Sequence, residues 1–123
     1  MENKVEKLPI NLARDKYLNS LLYLKKDAEK DKTKQRPYLC ITAFYNSAGV
    51  IYEYLLVPIT SSTSVGERNL VQISHEKLKK DSYCKLNNIL VVSRKDIENY
   101  ECIKQKFERT VVKEVLNSLK ELL

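Results

Sequence analysis

Apolar positions recur along this chain with two different periods, and the change from one to the other marks its organisation. Between Asn11 and Asp31, the residues Leu12, Tyr17, Leu18, Leu21, Leu24 and Ala28 return at helical spacing with Lys, Arg and Asp between them. That stripe predicts an amphipathic helix, with Asn11 placed to cap its first turn. The run DAEKDKTK, from Asp27 to Lys34, holds one apolar residue, Ala28, and reads as a frayed helix end followed by a solvated linker. From Tyr38 the pattern changes. Tyr38 to Phe44 and Val50 to Ile59 are rich in β-branched and aromatic residues, and YNSAG between them supplies the turn formers Asn46, Ser47 and Gly49. The pair predicts a hairpin. Beyond the polar loop TSSTSVGERN (60–69), Leu70 to Ile73 predicts a short strand and His75 to Lys80 a charged connection. Ser82 to Leu86 and Ile89 to Val92 then predict further strands around Asn87-Asn88. From Ile103 to Leu123 the helical period returns, with Phe107, Val111, Val115, Leu119 and Leu122 on one stripe.

The predicted order is therefore helix, about five strands, helix, within one domain of 123 residues. Residues 1–34 form an N-terminal helix and Lys-rich linker, 35–102 the strand region, and 103–123 a C-terminal helix. Many short strands with few helices place the chain in the α+β class, mostly β, as a curled antiparallel sheet or small barrel. The N-terminal helix is expected to cover part of that sheet through Tyr17, Leu21 and Leu24.

Composition narrows the function classes. Hydrophobic residues make up 43% and charged residues 31%, a globular balance. No apolar run approaches the roughly 20 residues that cross a bilayer, and Met1 to Lys7 lacks the apolar segment of a signal peptide, so a cytoplasmic protein with no membrane partner is expected. The net charge of +6, from 22 Lys and Arg against 16 Asp and Glu, favours a polyanionic partner. Eight Tyr and no Trp supply flat faces for unpaired bases, with Tyr45 and Tyr83 as candidates for stacking. Only two glycines occur, Gly49 and Gly66, which excludes a Walker loop or a dinucleotide fingerprint. His75 is the single histidine and reads as an exposed loop residue, so neither a Ser-His-Asp triad nor a His-rich metal site is expected. Cys40, Cys84 and Cys102 are odd in number and lack metal-type spacing, the pattern of reduced core thiols. No metal or cofactor is implied.

Two short stretches carry the candidate chemistry. In QRPYLCI (35–41), Pro37 stiffens the start of a strand and Arg36 stands at its mouth. In LLVPITSSTS (55–64), an apolar strand ends in consecutive hydroxyls at Thr60, Ser61 and Ser62, a group of donors able to hold a phosphate. Arg36 opens one strand of the predicted hairpin and Thr60 closes the other, so both lie at one edge of the sheet. A guanidinium beside hydroxyls suits the charge that develops on a phosphate during transfer.

QRPYLCI, then LLVPITSS, then DSYCKLNNI with a following SRKDI and a C-terminal amphipathic helix, resembles the MazF/PemK family of toxin ribonucleases from Gln35 to Leu123. The resemblance implies an SH3-like barrel that forms a homodimer, cuts single-stranded RNA without a metal and is silenced by a cognate antitoxin. It implies that Arg36 and Thr60 carry the cleavage, with Ser61 and Ser62 as adjacent phosphate contacts. Two departures stand out. Family members begin with a strand ahead of the RP motif, where this sequence predicts a helix, and they carry a Gln-Ile-Arg-type segment where this chain has Asn88-Ile89-Leu90, which leaves Asn88 as the RNA-contacting candidate there. The ToxN-like ribonucleases, neutralised by an RNA antitoxin, also show a T-S turn after an apolar strand. The rival reading is a non-catalytic basic barrel that binds RNA or a protein partner and uses Arg36 only to begin a strand.

Overall fold

A computed structural model of the chain describes residues 15–25, 36–63 and 66–123. Seven strands build one antiparallel sheet: β1 (Ser20–Leu24), β2 (Pro37–Tyr45), β3 (Ile51–Thr60), β4 (Leu70–Ile73), β5 (Ser82–Lys85), β6 (Leu90–Ser93) and β7 (Tyr100–Lys106). An α-helix, α1 (Arg109–Leu122), follows them. The strands run in the order β4-β5-β3-β2-β1-β7, with β6 paired to β3 beside β5. This bears out the α+β, mostly β reading, the β2–β3 hairpin and the C-terminal helix.

The hairpin turn forms where its residue types allow. Asn46 folds it, its side-chain oxygen accepting from the amides of Ala48 at 2.9 Å and Val50 at 3.1 Å. Gly49 supplies the left-handed backbone at φ 79°, a conformation that costs glycine little.

Two sequence expectations fail together. The N-terminal helix expected over 11–31 is a strand where it is described at Ser20–Leu24, while its predicted cap at Asn11 and the 27–34 linker lie outside the described residues. Asp15 ties down the turn ahead of β1, its carboxylate accepting from the Tyr17 and Leu18 amides at 2.8 and 3.3 Å. Asn19 then takes a left-handed φ of 62°, which a continuing helix does not permit. The helix expected from Ile103 instead begins at Arg109, because Tyr100–Lys106 pairs with β1 as its antiparallel neighbour. The misleading feature is burial on both faces. Leu21 and Leu22 are both 0% exposed, on opposite sides of the sheet, so β1 shows no polar alternation.

The same two-sided burial produces the continuous apolar runs of β2 and β3. Leu39, Ile41, Leu55 and Val57 enter one cluster with Val115 and Leu119 of α1, while Cys40, Leu56 and Tyr54 enter a second with Val92, Ile97 and Tyr100. Cys40 and Cys84 are free and buried. Burial pushes the Cys40 thiol well above its ordinary range and the Cys84 thiol up to about 12, so neither offers a thiolate at neutral pH.

The sheet bends without closing. Register shifts in β2 on either side of Thr42–Phe44 mark bulges, which curve a strand. The central strand β3 gives residues 53–56 to β6 and 59–60 to β5, with Pro58 between the two sets of partners, a place where a missing backbone donor is tolerated. The strand path ends at β4 and β7, which are not paired to each other; the barrel is an open, curled sheet. Its two end strands nevertheless meet at a side chain. His75, just beyond β4, bonds through Nε2 to the Gln105 carbonyl of β7 at 2.8 Å, and its ring stands edge-on to Phe107 at 4.8 Å. The Lys77 amide donates to Nδ1 at 3.0 Å, so the proton of the neutral ring sits on Nε2. The expected exposed loop histidine is in fact a half-buried latch across the seam.

Helix α1 lies over the first cluster, with Val115 0% exposed. A Val115→Asp variant should fail to melt cooperatively, because its carboxylate would be buried without a partner at a cost of several kcal/mol, against a total stability of about 5–15 kcal/mol. A thermal melt monitored by circular dichroism checks this; a transition like that of the parent chain would contradict the packing.

Candidate phosphate-binding cleft

The site is set by register. Tyr38 stands opposite Pro58 and Leu39 opposite Val57, so two residues further out the same register brings Arg36 opposite Thr60. Pro37 opens β2 and faces Tyr23 of β1, which leaves Arg36 exposed at the strand mouth. The Arg36 guanidinium has no hydrogen-bond or ion-pair partner among the described residues.

At the end of β3 the chain turns sharply. Thr60 makes the turn: its hydroxyl donates to the Ser62 carbonyl at 2.9 Å and accepts from the Ser62 amide at 3.0 Å. This local ring of bonds is the Ser/Thr turn that competes with continued strand. Its effect is to hold Ser61 and Ser62 exposed, and their hydroxyls have no partner among the described residues.

Arg36, Pro37 and residues 59–62 line a cleft of about 770 Å³, together with Tyr23 from β1, with Lys77, Leu78 and Lys79 from the β4–β5 connection, and with Ser82 at the start of β5. The juxtaposition of Arg36 with Thr60, Ser61 and Ser62 that the hairpin predicts is therefore present. Among the described residues three cations line the cleft and no carboxylate does, so their field favours an anion. Burial, and to a lesser degree the charge of Glu101, push the Tyr23 phenol above its ordinary range, which keeps it a protonated donor. The forked guanidinium can take two oxygens of one phosphate, and the hydroxyls can donate to a third. Among the described residues no cluster of His, Cys, Asp and Glu is arranged to hold a metal.

The cleft does not include Tyr45, Tyr83 or Asn88. Tyr45 lines a separate cavity with Thr42, Arg109 and Lys113. Tyr83 pairs with Thr60 across β3 and β5, but the inward positions of β5 are Ser82 and Cys84, and Tyr83 is half-buried on the other side. Asn88 is exposed on the 310 turn Leu86–Asn88.

Sequence reasoning missed Tyr23, Lys77, Lys79 and Ser82. Tyr23 is invisible while its segment is read as helix. The two lysines flank Leu78 in HEKLKK, where one apolar residue inside a charged run was the available signal that the loop is anchored. No helix among the described residues is long and apolar enough to cross a membrane. No family model and no curated protein matches the sequence, so a functional reading depends on the cleft itself.

Proposed function

We propose that the protein is the toxin of a toxin–antitoxin system, a metal-independent endoribonuclease that cuts single-stranded RNA in the Arg36–Thr60 cleft. The observation that carries this reading is the convergence of Arg36 with Thr60, Ser61 and Ser62 on one cleft whose described lining holds no carboxylate. The strand β1 ahead of Arg36 adds to it, since a leading strand is what the resemblance to MazF/PemK ribonucleases implies. In the reaction the RNA 2′-hydroxyl attacks its own phosphate and the 5′-oxygen leaves, giving a cyclic phosphate and a free 5′-hydroxyl. Arg36 binds the non-bridging oxygens as their charge grows, and the Ser61 and Ser62 hydroxyls donate to the same group. Thr60 shapes the turn that presents them and lines the same cleft, where its hydroxyl adds a further donor once it gives up the Ser62 carbonyl. Tyr23, within the cleft, takes the base-facing role expected of Tyr45 and Tyr83. The protein acts in the cytoplasm as a homodimer of open, SH3-like curled sheets, restrained by a cognate antitoxin, a protein in the first instance and an RNA in the second.

A second reading is favoured by one observation. The Thr60 hydroxyl already spends its proton on Ser62, which suits a cleft that binds phosphate without cutting. Incubation with a long unstructured RNA in EDTA separates the two: the nuclease leaves cyclic-phosphate and 5′-hydroxyl ends at discrete positions, and intact RNA retained by the protein marks the binding module.

A further inference from the structure

The connection between β4 and β5 carries Lys77 and Lys79 to the cleft on a segment that is fixed at several points. Leu78 packs against the core cluster beneath α1, and its amide donates to the His75 carbonyl at 2.9 Å. His75 itself holds the Lys77 amide and is pinned to β7. On the far side the buried Ser82 hydroxyl donates to the Lys79 carbonyl at 2.8 Å. The backbone bonds of this loop are thus used to hold it still, while neither lysine ammonium has a partner among the described residues and both line the cleft. A pair of lysines on a disordered tail would pay ordering entropy on binding an anion; these two have their backbone already set.

We propose that Lys77 and Lys79 bind the phosphates flanking the one held by Arg36, so that the ligand of the cleft is a single strand presenting at least three consecutive phosphates. The two lysines lie two residues apart, a span of at most roughly 7 Å along an extended chain, and an anchored Leu78 between them keeps both on the cleft. Arg36 stands at the mouth of β2 and the two lysines on the β4–β5 connection, so cations from separate elements line one cleft, an arrangement suited to successive phosphates of one strand. His75 is a positioning residue in this scheme: it touches no phosphate and sets the loop that does.

This extends the nuclease reading of the same cleft but is tested by binding alone. Fully 2′-O-methylated oligonucleotides of two, four, six and eight nucleotides, which lack the attacking hydroxyl, are titrated into the parent chain and into Lys77→Ala/Lys79→Ala over a range of salt. The parent chain should bind the four-nucleotide probe markedly more tightly than the two-nucleotide one. The double variant should lower the slope of log K against log salt by about 1.4, two contacts at roughly 0.7 each for single strands. Both lysines are exposed, so the variant should keep its melting temperature. Length-dependent binding lost in the double variant supports the proposal even if no RNA is ever cut, a result that would sink the nuclease instead. An unchanged slope in the double variant overturns it even if RNA is cut, and so does a parent chain that binds none of the probes.

Discussion

Arg36→Ala should cut single-stranded RNA on the order of a hundredfold more slowly, or worse, while melting at the same temperature as the parent chain. The rate falls because the guanidinium is the charged group that the β2–β3 register aligns with the Thr60–Ser62 turn, and the neutral hydroxyls of that turn cannot replace its charge. The fold survives because Arg36 is exposed and precedes β2 without a partner among the described residues. Lysine at position 36 should rescue little, since it keeps the charge and loses the planar fork. Thr60→Ala should cost less than Arg36→Ala in rate but more in stability. Thr60 bonds the Ser62 carbonyl and amide, and losing such a local turn bond typically costs about 1 kcal/mol. Single-turnover rates and thermal melts of the three variants check the order.

A substrate change should have a still larger effect. RNA carrying deoxyribose or a 2′-O-methyl group at the cut position should not be cleaved at all, because the attacking group is then missing or blocked. Binding of the modified strand should persist, since Arg36, Ser61 and Ser62 address phosphate oxygens and not the sugar. Competition is the readout: the modified strand should inhibit cleavage of the natural one at a concentration near that of an unmodified competitor. Cleavage of the deoxy-substituted position would point to an external water as nucleophile and would contradict the mechanism.

What could be read in the sequence follows the physics of each segment. The hairpin was legible because Asn46 and Gly49 serve their turn through local chemistry that no distant residue alters. Arg36 and Thr60 were legible for the same reason: once two strands pair through a short turn, their far ends must meet. The helix α1 was legible in part, through Val115 and Leu119, while Leu122 of the expected stripe stays 42% exposed. Strands β1 and β7 were hidden because each is the other's partner. With both sheet faces buried, Leu21 and Leu22 present a pattern that helical spacing also satisfies. The loss of β1 concealed Tyr23, and the His75 latch was concealed because Gln105 is 30 residues away in sequence and offers only a backbone carbonyl. Long-range partners of that kind leave no local trace, so Lys77 and Lys79 read as solvated charge.

The most direct measurement places the parent chain and Arg36→Ala, purified in parallel and shown to melt alike, on one 5′-labelled unstructured RNA in EDTA, with the product ends identified by mass. The account predicts discrete cuts by the parent chain with cyclic-phosphate and 5′-hydroxyl ends, and none above background from Arg36→Ala over the same time. Equal cutting by the two proteins, or ends bearing a 5′-phosphate, would contradict it.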